Sequence, residues 1–504
     1  MFKNLLFFLF FFAGIRSFAQ LSADIALIQQ QNDLMGGVVT VYCSNQIVHH
    51  IPFGTADYTR GIPVTDSTLF RIASVSKTIT AIAFLSLVDE GLVQLDENIS
   101  SILGYPVKNP YFPNISITPR MLLSHKSSII DGNTYSAFLT ATYSQNPMPN
   151  LNELLTLGGA YYSMSNFNNT SPGSYFSYSN LNFVILGTLI EKISGQRFDE
   201  YCRNTILIPM AISGSFNVNH INNIDNVAVL YRRQSGIWTA QADDYQGVQP
   251  VYTNLSGYIP GTNGARFAPQ GGLRCSGSDL SKIFMMLLNY GEHNGTTILS
   301  KTSVMMMFNK EWNYFGTNGN NYYGLFNSWG LGIHRILNIA NADVVLESSQ
   351  SMFGHPGEAY GLVSDAYVDT TRKLGLVFIT NGCGVGYQTN NQSAFYTVEK
   401  EIFDAINPYA DILDCFWLST QQNKKNDLLL EVLPNPFATK IKISTTIDMI
   451  GKKYIIYDPT GRVYATGIIT SENDALNLSF LPDGVYIFHI QNETTHINKT
   501  ILKY

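Results

Sequence analysis

The sequence predicts an α+β chain that ends in a small all-β unit. Three observations carry this expectation. Strand-like stretches lie near the start, at 36–53, and again at 360–381, each built on alternating apolar residues around a turn. Between them run long apolar segments of helical length, after Ser74, Leu181 and Leu280. After about Pro408 the pattern changes to short strands separated by turns.

The chain has 504 residues, enough for a large core and more than one domain. Hydrophobic residues make up 45%, charged residues 13%, and the net charge is −6, so no basic field is present to attract nucleic acid.

Residues 1–19 combine an early lysine, an apolar run from Leu5 to Ala13 and small residues at Ser17 and Ala19. This reads as a secretory signal, because the run is too short to span a membrane. No later stretch is continuously apolar for long enough to span one. The five cysteines, Cys43, Cys202, Cys275, Cys383 and Cys415, lack the close spacing of a metal site. Their odd number leaves at least one thiol free or paired outside the chain, and the sequence does not select a connectivity. His49 and His50 lie on an alternating strand, so their rings face opposite ways and share no metal. No cofactor motif is present.

Residues 22–31 read as a short amphipathic helix. Strands at 36–43 and 46–53 follow, joined by a Ser-Asn turn. Ser74-Val-Ser-Lys77 then opens an apolar segment with no Gly or Pro before Gly91, a buried central helix. Residues i and i+3 share a helix face, which brings Ser74 beside Lys77. A serine hydroxyl needs a base to become a nucleophile, and a lysine in an apolar wall is such a base. The helix N-terminus favours a developing oxyanion. Taken alone, the pair is more often a helix cap and a solvated lysine.

A short helix is expected within 117–126, then a loop-rich stretch over 127–175. Tyr178-Ser-Asn180 sits on the turn entering the helix 181–193. Tyr178 offers a hydroxyl to relay a proton, and Asn180 an amide to hold Lys77 or a substrate carbonyl. An ordinary capped turn would look similar. A second Tyr-x-Asn, Tyr252 to Asn254, has no helix behind it and ranks lower. Residues 214–270 read as an inserted subdomain or lid. A helix over 280–290 follows, and then Phe353-Gly354-His355-Pro356-Gly357-Glu358. The strands 360–368 and 374–381 make an antiparallel hairpin. The glycines let a ligand approach the backbone, and His355 is placed to exchange protons with a bound acyl group. His293-Asn-Gly295 lies in a loop and reads as structural.

Ser74-x-x-Lys77, Tyr178-x-Asn180 and His355-x-Gly357 together resemble the three motifs of the serine β-lactamase and penicillin-binding-protein superfamily, closest to class C β-lactamases and related esterases and D-amino-acid peptidases. Leu122-Leu-Ser-His-Lys-Ser-Ser128 and Gly271-Gly-Leu-Arg-Cys-Ser276 resemble its flanking segments. The resemblance covers about 30–405. It implies an antiparallel sheet flanked by helices plus an all-helical region, with the site between them. It implies Ser74 as nucleophile, Lys77 and Tyr178 sharing proton transfer, and Asn180 positioning lysine and substrate. The oxyanion hole would be the N–H groups of Ser74 and Glu358, beside Gly357. Two departures stand out. The family's K-T-G is His355-Pro356-Gly357 here, which removes a fixed cation and tilts the reading toward esterase or peptidase. The usual glycine is missing from the 124–128 segment, where Ser128 stands.

The tail is a separate object. Residues 411–427 read as a linker between a domain over 20–410 and an all-β sandwich over 428–504. Pro434-Asn435-Pro436, the Asp458-Pro-Thr-Gly461 hairpin, Leu481-Pro-Asp-Gly484-Val-Tyr486 and the terminal lysine segment resemble the C-terminal sorting domain of the Bacteroidetes type IX secretion system. That implies export through the periplasm to the surface or beyond, with the secretion machinery as partner. The expectation is a secreted serine hydrolase acting through a Ser74 acyl-enzyme on an ester, amide or D-amino-acid peptide. The alternative is a non-catalytic peptide- or peptidoglycan-binding protein of the same fold.

Overall fold

The structure is a computed structural model describing residues 20–503, apart from 252–254, 256, 350–351, 413–414, 416–429, 434–436, 446–449, 459–461, 472 and 492–495. The expected signal segment, Tyr252-x-Asn254, most of the linker and Pro434-Asn435-Pro436 therefore lie outside the described residues. The chain divides into two compact units with a boundary after Cys415.

The first unit is built on a nine-stranded antiparallel sheet. Its order is Trp312–Asn313, Ser328–Trp329, His334–Ile336, Met352–Ala359, Leu362–Asp369, Leu374–Thr380, Gly36–Cys43, Gln46–Asp57 and Ile62–Pro63. The expected hairpins are both present, and the first strand of the chain pairs with the last hairpin, Gly37 opposite Thr380. Met352–Ala359 pairs with Leu362–Asp369 along its whole length, with Gly357 opposite Ser364. On its other side His334–Ile336 reaches only Met352 to Gly354. The second half of that strand is thus an open edge, and the site lies there.

Adjacent strand residues face opposite sides of a sheet. Ala366, Val368, Val377 and Ile379 join the large core shared with the helices Ser76–Asp89, Asn180–Ser194 and Gly277–Leu288. Tyr367 faces the other way, onto Phe395 and onto Phe403 of the helix Thr397–Ile412. The helix Ser76–Asp89 is buried at every position from Ser76 to Leu87, as expected of a segment apolar on all sides. Pro at its first position and the Thr118 side chain at its N-cap start the short helix Pro119–Leu123.

Cys43 and Cys415 form a disulfide, and Cys202, Cys275 and Cys383 are buried thiols. Among the described residues of 214–270, expected as an inserted subdomain or lid, none lines the cavity that holds Ser74. They contribute a hairpin, Leu230–Gln234 with Ile237–Ala242, whose Tyr231 N–H donates to the Asn381 carbonyl at the sheet end. Asp243, just beyond it, pairs with Arg71 at 2.5 Å and Arg274 at 2.6 Å.

The second unit has a three-stranded sheet, Leu430–Leu433, Lys440–Thr445 and Asn473–Asn477. A four-stranded sheet, Val463–Ile468, Lys453–Tyr457, Gly484–Gln491 and His496–Lys503, accompanies it. Both feed one apolar core that includes Val432, Phe437, Ile443, Ile456 and Phe488. Among the described residues, no helix is long and apolar enough to cross a membrane.

Candidate active site

Ser74 sits in a single 3-10 turn, Ala73–Val75, directly before the buried helix. Ala73 has φ +43°, a conformation rare for a residue with a Cβ, and it turns the chain so that Ser74 stays accessible. Lys77, one turn on, is completely buried. Its Nζ lies 3.0 Å from Ser74 Oγ, 2.8 Å from Asn180 Oδ1 and 2.8 Å from the Gln270 carbonyl. Burial lowers its pKa to about 7, with the Asp131 carboxylate opposing the shift. A neutral amine keeps one lone pair. Asn180 Oδ1 and the Gln270 carbonyl can only accept, so that lone pair can be satisfied only by the Ser74 hydroxyl.

Tyr178 is hydrogen-bonded to Ser74, and burial pushes its hydroxyl well above the ordinary tyrosine range. It stays a phenol, able to pass a proton on. Its ring lies 4.9 Å from Lys77 Nζ and 4.4 Å from the ring of His125, the histidine of the Leu122–Ser128 segment. His125 Nδ1 accepts from the Ser179 N–H at 3.1 Å, which ties that segment to the Tyr178 turn. At Ser128, where the resembling family has glycine, the backbone keeps φ +65°, and Asn109 Nδ2 donates to Ser128 Oγ at 2.8 Å. The glycine-type turn survives without the glycine.

Asn180 is held by a residue that the sequence reading missed. Asp131 accepts from Ser179 Oγ at 2.8 Å, Asn180 N–H at 3.1 Å, Asn180 Nδ2 at 2.8 Å and Leu181 N–H at 2.8 Å. It caps the helix Asn180–Ser194 from a distant loop, where the N-cap residue Ser179 makes no side-chain cap of its own. By taking the Nδ2 end of the amide it turns the Oδ1 end toward Lys77. No local pattern marks Asp131, which lies 49 residues before its partner Asn180.

Gly357 lies against the turn that carries Ser74. A Cβ there would stand 3.1 Å from Ser74 N and 2.4 Å from Ser364 Oγ. Ser74, Tyr178, Pro356, Gly357 and Glu358 line one cavity of about 660 Å³. Its other walls come from Tyr322–Phe326, Asn341 and Thr389–Glu399, in which the sequence reading placed no function.

The substrate contact expected of His355 is corrected by its position. The strand alternation turns its ring into the core, fully buried, and Pro356 takes the cavity wall. Its Nδ1 donates to the Pro356 carbonyl at 2.6 Å, while Nε2 has no partner. Burial and the nearby Lys77 hold it well below the usual histidine pKa, so it is neutral. Of the other expected binding residues, Asn180 reaches Lys77, and Gly357 and Glu358 face the cavity. Outside the lining of this cavity, Asp199, Glu200 and His220 bring ligand atoms within 4.8 Å of one another. Asp199 is already engaged there by Arg197 and Asn217.

Residues 24–396 match the family model described as Beta-lactamase. The chain belongs to the beta-lactamase family. Residues 431–504 match the secretion system C-terminal sorting domain, a tail that addresses the chain to type IX secretion and the cell surface or extracellular space. Among curated relatives, penicillin-binding protein 4* of Bacillus subtilis (strain 168) is 25% identical over 177 residues, 35% of this chain and 37% of that protein. The chain thus spans little more than a third of that relative's length. Among solved structures, the octameric penicillin-binding protein homologue from Pyrococcus abyssi superposes with a TM-score of 0.57 at 18% identity, covering 96% of each chain. D-amino acid amidase from Ochrobactrum anthropi SV3, complexed with D-phenylalanine, superposes with a TM-score of 0.54 at 20% identity, covering 77% of this chain and 99% of that one. These likenesses show the fold of the beta-lactamase family.

Proposed function

We propose that this chain is a secreted serine hydrolase that cleaves an ester, an amide or a D-amino-acid peptide through a Ser74 acyl-enzyme. The observation that carries the reading is the buried Lys77 amine, 3.0 Å from Ser74 Oγ, whose pKa burial lowers to about 7. Neutral Lys77 takes the Ser74 proton as Oγ attacks the substrate carbonyl carbon. The carbonyl oxygen becomes an oxyanion, held by the N–H groups of Ser74 and Glu358. The bond to the leaving group then breaks, and the proton on Lys77 passes through the Tyr178 hydroxyl to the departing oxygen or nitrogen. Water attacks the acyl-serine, gives its proton back along the same groups, and releases the acid.

The neutral His355 favours substrates without a carboxylate, since no fixed cation stands in the third motif. The amidase structure gives a D-amino-acid derivative as one precedent among the fold's neighbours. The test is intact mass within seconds of mixing with p-nitrophenyl acetate, beside Ser74→Ala. An acetyl adduct that the variant lacks is expected. Folded protein that gains no adduct and releases no nitrophenol would leave the binding-protein alternative standing instead.

A further inference from the structure

The cavity in front of Ser74 carries a charge pattern that its catalytic groups do not use. Among the described residues, its walls hold two carboxyl side chains, Glu358 and Glu399, and no lysine, arginine or histidine. The rings of Tyr178, Tyr322, Tyr323, Phe326 and Tyr396 stand beside them, and the remaining lining is small or uncharged, including Asn341, Asn390 and Asn391. Glu358 follows the glycine that packs on Ser74, so its exposed side chain starts beside the attacked carbonyl. The Tyr396 hydroxyl donates to its carboxylate and anchors it.

Glu399 reaches the cavity from the first turn of the helix Thr397–Ile412 and is 3% exposed. Its Oε2 accepts from the Tyr396 N–H at 2.5 Å. Behind it Asp365 is completely buried, its oxygens meet no donor among the described residues, and the Glu399 carboxyl adjoins it. Two carboxyls this close bond to each other only when one is protonated. Burial raises both, Glu399 to about 8, and Glu358 is near enough to act on Glu399 as well. Such a pair keeps a proton at neutral pH and gives it up when a cation arrives. Carboxyls and ring faces attract an ammonium group and repel a carboxylate.

We propose that the substrate carries a protonated amine on its acyl half, an amino-acyl ester or amide whose ammonium group sits between Glu358 and Glu399. This rests on the reading of Ser74 as the nucleophile.

The test compares D- and L-alanine benzyl esters with their N-acetyl and N-succinyl forms at pH 7, with p-nitrophenyl acetate as a neutral reference. For at least one enantiomer, the free amine is expected to exceed the N-acetyl ester in kcat/KM by at least about tenfold. The anionic N-succinyl ester should be the poorest. Glu358→Gln and Glu399→Gln should each pull the free-to-acetyl ratio toward one. Because that ratio is taken within one variant, loss of folded enzyme cancels from it. An N-acetyl or N-succinyl ester that equals the free amine overturns the proposal. So does a ratio that survives both substitutions, or turnover of p-nitrophenyl acetate with none of the alanine esters. Absence of Ser74-dependent turnover of p-nitrophenyl acetate would overturn the hydrolase reading itself.

Discussion

At the scale of single residues, the site depends on one amine whose charge is set by its surroundings. In the proposed mechanism Lys77 works as a base only when neutral. Its pKa of about 7 means that kcat/KM should rise with pH through about 7 and level off above it. A lysine at its ordinary 10.5 would give activity still climbing beyond pH 9, and a pH–rate profile separates the two. Lys77→Ala should cost about 10²–10⁴-fold in kcat, the usual range for a lost general base. Asp131 acts on the same amine at one remove, through Asn180. Asp131→Asn removes the carboxylate that opposes the lysine's shift, so the rise in kcat/KM should move to lower pH. Loosening of Asn180 should also lower kcat by about 10–100-fold. The other groups facing Lys77 — Tyr178, His125 and His355 — carry no charge near pH 7, since burial holds both imidazoles neutral and the phenol protonated. A variant that lost activity with an unmoved profile would reduce Asp131 to a helix cap.

At the scale of elements, the edge strand Met352–Ala359 decides the geometry. The short strand His334–Ile336 leaves its second half open, and Gly357 lets that half close on the Ser74 turn. Gly357→Ala would place a methyl group 2.4 Å from Ser364 Oγ and 3.1 Å from Ser74 N, so the strand must retreat from the nucleophile. Activity should fall by about 100-fold or more while the thermal melt shows a folded protein. An activity unchanged by the substitution would remove the strand from the oxyanion hole. The elements that strong local patterns announce were legible in the sequence: the helix Ser76–Asp89, the hairpin at 362–380 and the strand pair at 36–57. What the pattern could not supply was contact between distant loops. Asp131 reads as one acidic residue in a polar stretch. The cavity walls at 322–326 and 389–399 have no periodicity of their own and become walls only once the sheet has curved. His355 failed for a different reason. Its motif was visible, but the strand phase that turns its ring inward depends on the pairing of Gly357 with Ser364. Ser128 shows the converse, a missing glycine whose turn is retained. The left-handed backbone there costs about 1–2 kcal/mol, offset in part by the Asn109 hydrogen bond.

At the scale of the whole molecule, the two units announce themselves by composition, and the bond that closes the first unit does not. Five scattered cysteines left every pairing open, because spacing along the chain says nothing of distance after folding. The structure joins Cys43, at the end of a central strand, to Cys415, just past the helix Thr397–Ile412, across 372 residues. An exported chain meets an oxidising environment, where such a bond persists. Loop-closure entropy grows only with the logarithm of loop length, but a loop this long still stands at the upper end, about 5–6 kcal/mol on the chain-entropy model. The pair Cys43→Ala with Cys415→Ala should therefore lower the thermal midpoint of the first unit and leave that of the sorting tail unmoved. The two transitions are separable because the tail has its own core. Ser74 acylation at low temperature should persist, since neither cysteine lines the cavity. If a reducing agent shifts the wild-type midpoint as far as the double substitution does, the bond accounts for the effect. If the agent does nothing and the thiols react freely with a maleimide, the two cysteines are not paired and the end of the helix is held by packing alone.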